Sequence, residues 1–331
     1  MVDSQIDVVY LWCDGNDPAF AAQKQKRMQQ LNLAWSERNH GSIRYFDNEE
    51  LRYSLRSVSK YLPWVNHIYL VTNNQKPHWL IDHPKISIVD HQEIIPKNLL
   101  PTFNSVTIEM YLHKIPGLSE KFLFFNDDMF INADVQPEFF FQGDKPIVRM
   151  IRDHSRWQFK NLKECESAMD NPEISSHRRS LLKAWYLFCQ KRGILPFYTL
   201  AHTIDAFTKT AIEGVLKEFP ELLKNNVNPF RSDNDIQRLI FQMEMVKTQG
   251  CPLKEIQPLT FMQKHFWSFS RTEIESFEGT ESSKTWERIR KCKPKMFCVN
   301  AAVDSSIEIK KQTHQLLEEL FPIPSPYEKR N

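Results

Sequence analysis

The chain has 331 residues, enough for one large domain or two smaller ones. Hydrophobic residues make up 41% of it, which supports a sizeable core and argues against general disorder. Forty-three basic residues against 41 acidic ones leave a net charge of +2, so there is no global attraction to nucleic acid.

The first apolar run, Ile6–Leu11, reads as a buried strand, and Asp14-Gly-Asn-Asp17 as the loop that ends it. Acids at Asp3 and Asp7 stand where a secretory leader would be basic and then apolar, so no leader is expected. Pro18 suits the first turn of a helix, which a Gln/Lys-rich stretch continues to about Leu33. Asp47, with Glu50 three residues on, is placed to cap a helix carrying Leu51, Leu55, Val58 and Leu62. Ile68–Val71 and Ile86–Val89 read as strands, and Ile108, Leu112 and Ile115 mark another helix. Phe122–Phe125 is a further strand, and it delivers Asn126, Asp127 and Asp128 at its end. Strands alternating with helices imply an α/β fold with a mostly parallel sheet flanked by helices.

Beyond about 155 the character changes. Residues 160–193 are polar and helical, with Ser180–Phe188 as their apolar part, and read as a helical insert or lid over 155–195. Tyr198–Ala201 is a short extended run ending at His202. Ile212 to Leu223 forms an amphipathic helix, and Ile236 to Met243 another, opened by Ser232-Asp-Asn. The last helix opens with the capping box Ser305-x-x-Glu308 and stops before Pro322, after which the proline-rich tail is expected to be extended. No apolar run approaches the ~20 residues that span a bilayer. Six cysteines without a Cys-x-x-Cys pair suggest reduced thiols, and no glycine-rich phosphate loop occurs.

In open α/β sheets ligands bind beyond the carboxyl ends of the strands. Two acids there, Asp127 and Asp128, suit a divalent cation with a diphosphate on its other face, though a plain polar turn explains the tripeptide equally well. Asp14 and Asp17 sit where many doubly wound folds touch a nucleotide. Arg52 and Arg56, one turn apart, are either phosphate ligands or a solvated helix face. His202, at a strand end, is a candidate base or a structural histidine. Arg231, just before an expected helix N-terminus, would reinforce an anion site. Together these residues suggest a metal-assisted site for a phosphorylated donor.

The same residues resemble the Stealth family of hexose-1-phosphate transferases. The likeness lies in Ile6–Pro18; in Arg44–Arg56, Pro63–Thr72, Leu100–Ser105 and Phe125–Phe130; in Ala201–Asp205 and Phe230–Asp233; and in Phe297–Asn300 and Phe321–Ser325. The resemblance implies one GT-A-like catalytic domain over 1–331. Residues 1–150 would form its nucleotide-sugar-binding part, 155–195 the helical insert, and 196–331 the remainder with the C-terminal helix. It implies Asp127 and Asp128 as ligands of Mg²⁺ or Mn²⁺, with His202, Arg231 and Asp128 as catalytic groups. It further implies Asp14, Asp17, Asp47, Asn48, Arg52, Asn104, Asn126, Asp233 and Asn300 as donor-site residues. The implied reaction moves sugar-1-phosphate from a UDP-sugar, an N-acetylhexosamine, to a hydroxyl of a glycan or lipid-linked oligosaccharide. UMP leaves, and a phosphodiester enters a bacterial capsule or exopolysaccharide. The implied setting is the cytoplasm at the inner face of the membrane, with peripheral membrane association and no nucleic-acid partner. Two alternatives stand: a glycosyltransferase releasing UDP, and a non-catalytic glycan-binding protein on the same fold. Ala301 stands where the family commonly has Asp, with Asp304 nearby, and Asn74 where it commonly has Gly.

Overall fold

The computed structural model describes residues 5–33, 41, 45, 47–152, 159, 161–193, 197–256, 275–300 and 307–329. Four strands, β1 (Ile6–Leu11), β2 (Ile68–Thr72), β3 (Ile86–Asp90) and β4 (Lys121–Asn126), run parallel in the order β4-β1-β2-β3. The chain continues through β5 (Met129–Ile131), β6 (Val148–Arg152) and β7 (Tyr198–Leu200). It then adds β8 (Asp205–Thr208), which extends the main sheet antiparallel to β4. Further strands are β9 (Leu253–Glu255), β10 (Ser276–Thr280) and β11 (Met296–Asn300), besides a short hairpin of Phe141–Gln142 with Lys145–Pro146. Two side sheets, β9-β6-β7 and β10-β11-β5, flank the five-stranded one.

The central strands are apolar at nearly every position because both faces are covered. Val9, Phe122 and Phe124 belong to one core cluster, while Val8, Tyr10, Leu123 and Phe125 belong to the other. This alternation is the two-residue period of a strand expressed as two cores. Helix α1 (Pro18–Gln30) begins at the proline, and α2 (Glu50–Tyr61) buries Leu51, Leu55 and Val58 as their spacing requires. The mostly parallel α/β sheet flanked by helices thus matches the expected fold class.

Several helices differ from expectation. The one after Asn104 is broken into α3 (Ser105–Glu109) and a separate 3₁₀ turn at Leu112–Lys114. Residues 160–193 hold α4 (Leu162–Met169) and α5 (Ser176–Arg192). The Leu181, Leu182, Trp185 and Phe188 side chains of α5 join the same core as the sheet, packing with Phe219 and Phe241. The helix expected over 212–223 is split into α6 (Lys209–Glu218) and α7 (Glu221–Asn225) at Pro220, which disfavours the α conformation at Phe219. Helix α8 starts at Leu239 rather than at Ser232 (Leu239–Thr248). Before it, the Asp235 carboxylate accepts from Ser232 N, and the Ser232 hydroxyl accepts from Asn234 N. Such local bonds compete with helix.

Helices α9 (Ser283–Cys292) and α10 (Ile307–Leu320) complete the chain. Ser305 of the expected capping box lies outside the described residues. The tail does not run extended: a turn closes from Glu328 N to Ser325 O and buries the Glu328 carboxylate against Arg52 and Arg56. All six cysteines are free thiols. Among the described residues, no helix is long and apolar enough to cross a membrane.

Candidate active site

The strand order reverses direction between β1 and β4, and such a switch point opens a crevice at the carboxyl ends of the strands. Leu11 and Asn126 pair there as the last residues of the two strands. A cavity of about 670 Å³ occupies this position. Asn126, Asp127, Asp128, His202, Arg231 and Asn300 all line it. The fold therefore collects six of the expected site residues from segments up to 174 positions apart, Asn126 to Asn300.

Asp127 and Asp128 form the tight turn between β4 and β5. Val299 N donates to the Asp128 carbonyl at 3.2 Å, which ties that turn to β11. Burial, and then the neighbouring carboxylates of Asp128, Glu50 and Asp47, push Asp127 well above the usual carboxylate range. Burial likewise raises Asp128, partly offset by His202 and by a hydrogen bond from the Cys298 thiol. Glu50, at the start of α2, is pushed up to about 8, and Asp47 to about 6, in both cases chiefly by burial. The charges of these acids therefore oppose one another when ionised.

Asp128 Oδ1 is buried without a partner among the described residues, as a ligand awaiting a metal would be. Among the described residues, no group of three or more His, Cys, Asp or Glu side chains is placed to hold a metal ion by itself.

His202 follows β7 and stands beside the acids. Its Nδ1 lies 3.3 Å from Glu278 Oε1, 3.4 Å from Asn300 Nδ2 and 3.8 Å from Cys298 Sγ. Its Nε2 has no partner among the described residues.

The arginines divide sharply. Arg238 lines the cavity but is held by Asp205 (2.8 Å) and Glu109 (3.1 Å), and Gln242 completes the Asp205 carboxylate at 2.7 Å. Arg52 is held by Glu328 at 2.6 Å and Glu49 at 3.3 Å, away from the cavity lining, so it is not poised to meet a phosphate. Arg231 lines the cavity and forms no ion pair or hydrogen bond with another described residue. The helix N-terminus expected beside it is absent, because α8 begins at Leu239. Arg231 thus offers its own charge without a helix dipole behind it.

The other expected donor-site residues lie outside the cavity lining. Asp17 caps α1, accepting from Ala19 N at 2.8 Å, and Gln75 holds its second oxygen at 3.1 Å. Asp14 closes a local turn on Asn16 N at 2.8 Å. Asp47 does not cap α2 as expected: the N-cap is Glu49, in a left-handed conformation, and Asp47 instead accepts from Trp12 Nε1 at 3.1 Å. Asn48 gives its backbone oxygen to His314, while its Nδ2 is buried without a partner among the described residues. Asp233 pairs with Arg179.

Asn104 is a structural staple. Its fully buried amide reaches Asn228 O, Phe230 O and Asp235 Oδ2, the last at 2.9 Å, and so fixes the segment that carries Arg231. Asn74 has φ 54, a left-handed conformation open to Gly and, next best, Asn. Ala301 and Asp304 lie outside the described residues.

Part of the cavity lining is aromatic. Phe20, Tyr45 and Phe103 belong to it, and Phe103 stacks on Phe230 with centroids 5.2 Å apart. Gly15 is required there: a Cβ at this position would lie 2.5 Å from the Tyr45 carbonyl oxygen.

The residues missed from the sequence are Glu50, Glu278, Cys298 and the Arg238–Asp205–Glu109 group. Glu50 carried a signal, standing at the mouth of a helix between motif residues. Glu278 carried none, because its pairing with His202 spans sequence-distant strands.

Residues 4–32, 44–148 and 287–331 match the Stealth protein conserved regions 1, 2 and 4. His202 and Arg231 lie between the second and third of these stretches. The capsular polysaccharide phosphotransferase cps12A of Actinobacillus pleuropneumoniae is 47% identical over 218 residues, covering 58% of this chain and 59% of that protein. The exopolysaccharide phosphotransferase SCO6023 of Streptomyces coelicolor is 32% identical over 334 residues, covering 98% and 52%. CpsY of Mycobacterium tuberculosis, an exopolysaccharide phosphotransferase, is 30% identical over 333 residues, covering 98% and 58%. The chain spans about half to three-fifths of the length of these relatives. Among solved structures, the galactosyltransferase LgtC in complex with donor and acceptor sugar analogs aligns with a TM-score of 0.44 at 11% identity, over 96% of this chain and 97% of that one. With three conserved regions matched in order along its length, the chain belongs to the Stealth family.

Proposed function

We propose that this chain transfers sugar-1-phosphate from a UDP-sugar, an N-acetylhexosamine, to a glycan hydroxyl on a GT-A-like fold. UMP leaves, and a phosphodiester forms in a capsular or exopolysaccharide. The observation that carries this reading is a cavity lined by an acid pair, a histidine and an arginine that forms no ion pair or hydrogen bond with another described residue. The names of the relatives point to the same class of reaction.

Asp127 and Asp128 would hold Mg²⁺ or Mn²⁺, and the unpartnered Asp128 Oδ1 fits that use. When bound, the cation offsets the charge of the diphosphate. His202 takes the proton of the acceptor hydroxyl at Nε2. The hydroxyl oxygen bonds to the sugar-side phosphorus, and the bond from that phosphorus to the oxygen bridging to UMP breaks. Arg231 faces the transferring phosphoryl oxygens, where a donor aimed at developing charge is most effective. Asn126 and Asn300 shape the polar wall, and the aromatic part of the lining, with Phe20, Tyr45 and Phe103, accepts the nucleoside. The acceptor is a glycan or lipid-linked oligosaccharide, met in the cytoplasm at the inner face of the membrane.

The test is the leaving group. Incubation with UDP-N-acetylhexosamines and an oligosaccharide acceptor should release UMP and give a phosphodiester resonance in the phosphorus NMR spectrum of the glycan. Stoichiometric UDP, with no phosphorus in the glycan, would replace this reading by ordinary glycosyl transfer.

A further inference from the structure

We infer that Glu278 is a positioning residue that locks His202 in the Nδ1–H tautomer and so presents the Nε2 lone pair to the acceptor. The inference rests on reading His202 as the base, and it names the group that prepares that base.

The argument starts from the two strands. Glu278 is the third residue of β10, paired in register with Cys298 of β11, and Thr280 is paired with Asn300. Residues two apart on a strand share a face. Glu278, Cys298 and Asn300 therefore project together, and all three meet His202 at its Nδ1 edge. Asn300 Nδ2 donates to Glu278 Oε1 at 3.2 Å, so the amide holds the same carboxylate oxygen that lies 3.3 Å from Nδ1.

An ionised carboxylate only accepts hydrogen bonds. A bond between Glu278 Oε1 and Nδ1 therefore needs the proton on Nδ1, which leaves Nε2 as the acceptor nitrogen. The bond made at one ring nitrogen fixes the tautomer seen at the other. Asn300 Nδ2 can only donate, and its shorter contact is to Glu278 Oε1, at 3.2 Å against 3.4 Å to Nδ1. Cys298 Sγ donates to Asn300 Oδ1 at 3.9 Å, so its thiol proton has an acceptor other than Nδ1. Asp128 and Asp205 act on the ring through charge. This also gives Asn300 a role of its own: it orients Glu278 rather than touching the donor.

The side chain of Glu278 is 42% exposed, so its removal should not threaten the fold. The decisive experiment is long-range ¹H–¹⁵N correlation spectroscopy of the ¹⁵N-histidine-labelled chain at neutral pH without substrates, His202 being assigned by its absence from His202→Ala. Wild type should show His202 as the Nδ1–H tautomer, and Glu278→Ala should shift it to a mixture or to Nε2–H. In steady state Glu278→Ala should lower kcat by about tenfold or more with the donor KM unchanged, in the manner of an orienting carboxylate beside a catalytic histidine. Glu278→Asp should recover part of the loss.

A wild-type His202 in the Nε2–H form, or a tautomer unmoved by Glu278→Ala, overturns the inference. So does a Glu278→Ala enzyme with full kcat while His202→Ala is inactive. Full activity in His202→Ala would instead sink the base assignment, and the spectra would still report on the pairing.

Discussion

Glu50→Gln should stabilise the metal-free protein at alkaline pH and do little at acidic pH. Glu50 sits in the acid cluster with Asp47, Asp127 and Asp128, and burial holds its pKa at about 8 against an ordinary 4.5. The folded state keeps this proton longer than the unfolded chain does. Its stabilising contribution is therefore complete below about pH 4.5 and is lost as pH rises through about 8. At about 1.4 kcal/mol per pH unit, that interval sets a ceiling of roughly 4 to 5 kcal/mol. Glu50 keeps part of its surface open, so solvent screening leaves about 2 kcal/mol at pH 8 and under about 1 kcal/mol at pH 5. The unfolding entropy of a chain this size is roughly 0.7 kcal/mol per degree, so the gain at pH 8 should be about 3 °C in Tm. Gln keeps the acceptor that Asn48 N uses at 2.7 Å, so the change isolates charge. The assay is thermal unfolding of wild type and variant in chelator at pH 5, 7 and 8. Equal melting temperatures at pH 8, or a variant less stable there, would refute the view of these acids as mutually destabilised without a cation.

A cation should reverse that penalty: Mg²⁺ or Mn²⁺ should raise the wild-type melting temperature, and Asp127→Asn should lose both this response and about a hundredfold in turnover, with an unchanged response to metal counting against the assignment. Arg231→Ala should cost about a hundredfold in kcat/KM with little change in melting temperature. Arg52→Ala, which leaves the buried Glu328 with one partner fewer, should lower stability by about 1 to 2 kcal/mol with a smaller effect on rate. The opposite pattern would exchange the roles assigned to these arginines. Asn104→Ala should lower both stability, by about 2 to 3 kcal/mol, and turnover, because one buried amide anchors the segment bearing Arg231. A melting temperature within a degree of wild type would show that the staple is dispensable.

The apolar runs at Ile6–Leu11, Ile68–Thr72 and Lys121–Asn126 announced a sheet buried on both faces, and the spacing of Leu51, Leu55 and Val58 announced α2. Burial and periodicity are written locally, residue by residue, so these elements were legible. The end of β4 was legible for the same reason: two carboxylates interrupt an apolar strand, whether they make a polar turn or a site. The breaks in helices were less so. The absence of helix at Ser232 depends on which backbone groups Asp235 reaches.

What the chain could not reveal by itself is which charged groups are already spent. Arg52 and Arg231 look alike in the sequence. One is paired with Glu328, 276 positions away, and the other forms no ion pair among the described residues. Glu278 becomes interesting only because β10 pairs with β11 and carries it to His202. Coulomb interactions and hydrogen bonds act over a few ångströms of space whatever the separation along the chain. The sequence determined where strands end and charge is left over, and the tertiary structure decided which of those charges remain free to act on a substrate.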